Sequence, residues 1–216
     1  MPLLNHIHPF EDTQLGIWHI TETAEELLNS FVLTVAEEAE LAGIKSPKTR
    51  LQWLGSRRLV RHLCGCGLVK DQYGKPHLEG RDEHVSISHT KGYAAVIISN
   101  KPVGIDINRL DKNIENIAHK FINDAEAECL PEGPGKSVYI HLFWAAKEAM
   151  YKLYGKKEIE FLTDLVINPF VLQAKGVLTG KILKKEFPPN ELDIHYFFER
   201  GYVVAWLFTY NYTQIS

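Results

Sequence analysis

Gly92-Tyr93-Ala94-Ala95-Val96-Ile97 returns 109 residues later as Gly201-Tyr202-Val203-Val204-Ala205-Trp206, a spacing close to half of the 216-residue chain. Each copy reads as a turn glycine followed by a strand. A second echo, offset by 90 residues, runs from Arg57-Arg58 through Leu63 and Gly65 to Lys147-Glu148 through Leu153 and Gly155. Helix precedes strand in both halves, which predicts an α+β protein of two pseudo-symmetric halves, 1–100 and 101–216. Each half is expected to be a mostly antiparallel sheet packed with a long helix.

Outward from the first copy, His84 to His89, Tyr93 to Ser99 and Pro102 to Asn108 read as three strands of an antiparallel meander, with turns at Lys91-Gly92 and Asn100-Lys101-Pro102. In the third run Val103, Ile105 and Ile107 point one way, so Gly104, Asp106 and Asn108 share the other face. Thr23 ahead of Glu25 and Glu26 signals a helix start. A basic helix is expected between Pro47 and Gly65, one helix around Ile114–Leu130, and a long helix from about Ser137 to Tyr154. Thr163 to Ile215 reads mostly as strands.

The composition, 45% hydrophobic and 24% charged, is that of a soluble globular protein. A net charge of −3 argues against a dedicated nucleic-acid binder. The charge is segregated, with eight acids and no Lys or Arg in residues 1–44, and eight basic residues against Asp71 alone in 45–75. Cys64 and Cys66 lie too close in sequence to bridge easily and Cys129 has no obvious mate, so the thiols are expected to be reduced. The start Met1-Pro2-Leu3-Leu4 lacks a basic and apolar leader, and no apolar stretch is long enough for a membrane span. These readings point to a cytoplasmic protein without membrane partners.

Gly135-Lys136-Ser137 lacks the leading glycine of a phosphate-binding loop, and neither a zinc-ligand spacing nor a nucleophile elbow occurs. Three segments remain. Ser86-Ile87-Ser88-His89 ends a strand with hydroxyls and an imidazole, a pattern that also fits a structural pair. Asp106 stands between two isoleucines and needs a cation, a metal or a capped turn. Trp144, Glu148 and Lys152 recur every four residues on one helix face, either as a solvated Glu-to-Lys pair or as part of a site. Two carboxylates from separate elements with Lys and His nearby suit Mg²⁺ and a pyrophosphate.

The blocks VSISHTKGYAAVIIS, PVGIDINRLD and FWAAKEAMYKLYGKK, with YGKP at 73–76, KTRLQWLGSRRLVRHL and KFINDAEAECL, resemble in order and spacing the 4′-phosphopantetheinyl transferases of the larger, surfactin-synthetase type. The resemblance covers roughly residues 45–160. It implies transfer of the phosphopantetheine arm of coenzyme A to a serine of an apo acyl or peptidyl carrier protein. Adenosine 3′,5′-bisphosphate would be released. Carriers for fatty-acid, polyketide or nonribosomal peptide synthesis are all compatible.

By the same resemblance Asp106 and Glu148 would hold Mg²⁺, Glu148 would take the serine proton, and Lys152 would steady the separating phosphates. Ser88 and His89 would contact the 3′-phosphate with Lys75 and Arg57 as further basic contacts, while Lys75 and Pro76 would line the adenine side. The site is expected between the halves of a monomer that is already a pseudo-dimer. Asn108 departs from the acid common at that position, which predicts weaker metal binding. Rival readings are a non-catalytic relative that binds coenzyme A or a carrier, and a metal-dependent coenzyme A pyrophosphatase.

Overall fold

The structure, a computed structural model, describes residues 3–111 and 113–209. The chain divides into two compact units, Met1–Asn100 and Lys101–Ser216. The strand-rich reading of the tail beyond residue 209 lies outside the described residues, as do Met1 and Pro2 of the N-terminal stretch.

The first unit contains β1 (Leu3–Phe10), β2 (Thr13–His19), α1 (Ala24–Asn29), α2 (Val35–Gly43), α3 (Pro47–Cys64), β3 (Leu68–Lys70), β4 (Pro76–Leu78), β5 (His84–Thr90) and β6 (Tyr93–Ser99). Its sheet has the order β1-β2-β6-β5-β4-β3, with antiparallel pairing throughout. Thr23 caps α1 and Glu26 closes the capping box, as the hydroxyl and acid spacing predicts. The same box at Thr34 and Glu37 starts α2, a helix the sequence reading passed over. Pro47 opens α3 behind the Ser46 cap, and Gly65 closes it in the left-handed region at φ 73°. Trp53, Leu54, Leu59 and Val60 of α3 pack with Trp18, Val85 and Val96 of the sheet.

The second unit contains β7 (Val103–Arg109), a 3₁₀ turn at Glu115–Lys120, α4 (Asp124–Ala127), α5 (Lys136–Tyr154), β8 (Leu165–Ile167), β9 (Lys175–Ile182), β10 (Leu192–Glu199) and β11 (Tyr202–Phe208). Its sheet order is β7-β11-β10-β9-β8, again antiparallel. Leu142, Phe143, Ala146, Ala149, Met150 and Leu153 of α5 pack on Leu178, Ile194, Val203 and Ala205.

With β1 set aside, both units follow one wiring: strand, long helix, then three strands, then a last strand lying beside the first. The echoed segments are those last strands, β6 and β11. The glycine opening each echo turns a hairpin at positive φ, 79° for Gly92 and 78° for Gly201. The mixed helix and antiparallel-sheet class expected from the sequence is therefore the class observed.

Two local expectations are corrected. β5 and β6 pair as expected, but the third strand of the supposed meander, β7, pairs with β11 in the other sheet. The free edge of β6 is taken by β2, so sequence adjacency did not decide the pairing. The single helix expected around Ile114–Leu130 is instead a 3₁₀ turn and the four-residue α4. Asn123 caps α4 with Glu126 and starts a new segment there.

Candidate active site

Gly104 decides how closely α5 can lie on β7. A Cβ at this position would stand 2.0 Å from the Ala149 carbonyl oxygen and 2.8 Å from the Leu153 amide nitrogen, so no side chain fits. Period two then puts Asp106 and Asn108 on the same helix-facing side of β7. Asp106 is only 6% exposed, and a carboxylate so deep needs a positive partner. Lys152 provides it: Nζ donates to Asp106 Oδ1 at 2.7 Å and to the Ile105 carbonyl at 3.0 Å. The lysine therefore reaches across to the sheet and is no mere solvated helix pair.

Glu148 lies one turn before Lys152 on the same half-buried face of α5, about 6 Å along the axis. Trp144, a further turn back, packs against Phe121 at 4.9 Å and Phe161 at 5.8 Å between ring centroids. The neighbouring Lys147 does something different. Fully buried, it pairs with Glu126 at 2.7 Å and donates to the Phe161 carbonyl at 3.0 Å. Burial pushes its ammonium below the ordinary lysine range, against the pull of Glu126. Glu126 also accepts from the Ile167 amide at 2.8 Å. The adjacent Lys147 and Glu148 thus differ: the first is spent in the core, and the second is half-buried on the face that carries Lys152.

Asn108 is the position the sequence singled out as a departure. It is 1% exposed, and among the described residues neither its Oδ1 nor its Nδ2 has a hydrogen-bond partner. An unmet buried amide costs about 1–3 kcal/mol, and this one lies two residues from Asp106 on the same face of β7. Oxygen donors from Asp106, Glu148 and Asn108 have the hard chemistry that Mg²⁺ prefers. Among the described residues there is no group of three or more His, Cys, Asp or Glu arranged to hold a metal ion.

The remaining expected residues belong to the first unit. Asp71 organises the Lys75 turn by accepting from the Tyr73 and Lys75 amides at 2.9 Å each and pairing with His77 at 3.1 Å. Burial pushes the Lys75 ammonium below its usual range. Burial also lowers His84, with further lowering from the charges of Lys75 and His77. Pro76 begins β4. Ser88 is buried at 6% exposure and His89 is exposed. Both lie at the end of β5, about 13 Å of strand beyond the His84 that Lys75 influences. Arg57 is turned inward at 5% exposure, paired with Glu40 at 3.0 Å and stacked 4.0 Å over Trp53.

The structure thus brings Asp106 of β7 and Lys152 of α5 into contact, places Glu148 on the same face of α5 as Lys152, and distributes Arg57, Lys75 and Ser88/His89 over separate elements. The basic block is also partly spent internally. Arg57 and Lys70 pair with Glu40, and Arg61 pairs with Glu37, so α2 from the acidic segment neutralises part of it. No helix among the described residues is long and apolar enough to cross a membrane.

Residues 102–207, which hold all of Asp106, Asn108, Glu148 and Lys152, match the model of the 4′-phosphopantetheinyl transferase superfamily. The chain is 37% identical over 89 residues to 4′-phosphopantetheinyl transferase gsp of Aneurinibacillus migulanus, covering 40% of this chain and 37% of that protein. It is 31% identical over 95 residues to a 4′-phosphopantetheinyl transferase of Bacillus subtilis, covering 43% and 42% of the two chains. With 4′-phosphopantetheinyl transferase Sfp of Bacillus subtilis strain 168 it shares 30% identity over 88 residues, 39% of each chain. The matched stretch spans about two fifths of the length of these curated relatives.

Proposed function

We propose that this chain, whose residues 102–207 match the model of the 4′-phosphopantetheinyl transferase superfamily, transfers 4′-phosphopantetheine from coenzyme A to a serine of an apo carrier protein. The observation that carries the reading is the Asp106–Lys152 contact, with Glu148 one helical turn away and the Asn108 amide unused beside it.

In this reading the serine oxygen attacks the phosphorus that carries the pantetheine arm. The bond from that phosphorus to the nucleotide part breaks, leaving adenosine 3′,5′-bisphosphate and holo carrier protein. Glu148 accepts the serine proton, directly or through water. Lys152, already beside Asp106, neutralises charge on the phosphate oxygens as they separate. Asp106 and Glu148 would hold Mg²⁺, and the ion when bound supplies positive charge to the pyrophosphate. Lys75 and Pro76 take the adenine side; Ser88 and His89 contact the 3′-phosphate. Arg57, turned inward onto Glu40 and Trp53, takes a packing role in α3 in place of the direct phosphate contact that the resemblance implies.

The partners are coenzyme A and an acidic carrier domain. The enzyme works as a cytoplasmic monomer without nucleic acid or membrane, on carriers of fatty-acid, polyketide or peptide synthesis. The test incubates the whole chain with coenzyme A, Mg²⁺ and an apo carrier protein and weighs the carrier. A gain of one phosphopantetheine, abolished in Glu148→Ala, is the expected result. Release of free phosphopantetheine without a carrier would establish a pyrophosphatase instead. Coenzyme A binding without either product would establish a non-catalytic relative.

A further inference from the structure

Cys64-Gly65-Cys66 closes α3 in the first unit. The three cysteines are all free thiols and all half-buried. Two of them form a pair: the Cys64 thiol donates to the Val60 carbonyl at 3.3 Å, and the Cys66 thiol folds back onto the Cys64 carbonyl at 3.3 Å. Gly65, at φ 73°, bends the chain between them. Cα atoms two residues apart across such a bend fall within the roughly 4.4–6.8 Å span of disulfides.

A third group completes the arrangement. Arg81 Nη1 lies 3.8 Å from Cys66 Sγ and 3.3 Å from the Cys64 carbonyl oxygen, and its guanidinium is anchored by Glu83. A cation at that distance can neutralise negative charge on the Cys66 sulfur as it attacks. Burial pushes the Cys64 thiol up to about 11, so Cys64 is the less ready of the two to attack first. Cys129 contrasts with this: its thiol meets only the Ala125 carbonyl, at 4.0 Å, among the described contacts.

We propose that Cys64 and Cys66 form a reversible dithiol switch, in which Cys66, beside Arg81, attacks a low-molecular-weight disulfide and Cys64 resolves the product. The Cys66 sulfur, as thiolate, attacks one sulfur of the small disulfide. A mixed disulfide forms, the small S–S bond breaks, and one small thiolate leaves. Cys64 then loses its proton to solvent and attacks the Cys66 sulfur, expelling the second small thiolate. Two protein thiols are oxidised and one small disulfide is reduced to two thiols. The short ring is why the bond is reversible, since a strained disulfide is readily reduced. The same strain explains why this spacing cannot serve as a permanent cross-link.

The test exposes the reduced full chain to graded ratios of oxidised to reduced glutathione, quenches with acid, alkylates and maps the cysteines by mass spectrometry. The expected result is a Cys64–Cys66 disulfide that forms before any adduct on Cys129 and disappears when reduced glutathione is restored. Cys64→Ser should halt at a stable glutathione adduct on Cys66. Arg81→Gln should slow formation at least several-fold, while Cys129→Ser leaves it unchanged. Equal rates of mixed-adduct formation on Cys66 and Cys129, with no intramolecular bond, would overturn the proposal. An adduct that settles on Cys64 in the parent chain would overturn the assignment of Cys66 as the attacking sulfur.

Discussion

Replacing Gly104 by alanine tests whether the close approach of α5 to β7 builds the site. The added Cβ would sit 2.0 Å from the Ala149 carbonyl oxygen, whereas ordinary contact begins at 3.4 Å, so α5 must recede by about 1.4 Å. The obstructing atoms are backbone and cannot rotate aside. The same face of α5 carries Ala146, Ala149, Met150 and Leu153 into the core, so the shift disturbs several contacts at once. Overpacking of this kind costs typically about 1–3 kcal/mol, and a backbone clash belongs at the upper end. Because Glu148 and Lys152 ride on α5, a displacement near 1 Å should also lower transfer by about 100-fold. Gly16→Ala is the control: its Cβ would meet methyls of Leu59 at 2.9 Å and of Leu63 at 3.1 Å, side-chain ends that can shift, at the lower end of that range, about 1 kcal/mol. Urea unfolding followed by circular dichroism gives the stabilities, and carrier loading per folded molecule gives the activity. If Gly104→Ala unfolds within 0.5 kcal/mol of the parent, the steric reasoning fails. If it is destabilised yet loads carrier at the parent rate per folded molecule, the positioning reasoning fails.

Lys147→Met should lower stability by about 3–5 kcal/mol, because it strands a buried carboxylate on Glu126, whereas Lys152→Met at the half-buried site should cost less stability and most of the turnover. Denaturant midpoints and loading rates separate the two lysines. Asn108→Asp should raise Mg²⁺ affinity at least about tenfold in calorimetry without substrates, since it adds a charge beside Asp106; unchanged affinity would remove Asn108 from the cation's surroundings. His84 is lowered by burial and by Lys75 and His77, so as pH falls below the ordinary value of 6.5 the unfolded chain takes its proton first. Stability should therefore fall from pH 6.5 down through the lowered folded value, and His84→Gln should flatten that part of a pH–stability curve.

Much was legible in the chain because it rests on local chemistry. Thr23 with Glu26, Pro47 with Gly65, and Gly155 after Tyr154 mark helix ends through caps that act within one turn. The Gly-Tyr echo marked two hairpins of one wiring because a positive-φ glycine and an apolar strand are needed in both places. Period two alone put Gly104, Asp106 and Asn108 on one face. What could not be read there depends on which distant groups meet. Nothing near β7 in the chain says that its partner is β11 and not β6, since pairing is settled by the competition of all strands for edges. Nothing near Lys152 or Lys147 says that the first goes to Asp106, 46 residues away, and the second to Glu126, 21 residues away. Residues 45–75 carry eight basic residues against Asp71 alone, but the folded chain sets Glu37 and Glu40 against Arg61, Arg57 and Lys70. Sequence alone determined the elements and the kinds of group a site could use, because backbone preference and side-chain chemistry are local. Tertiary structure decided which charges are spent on one another and which face a substrate, because burial removes the water that would otherwise serve every charge alike.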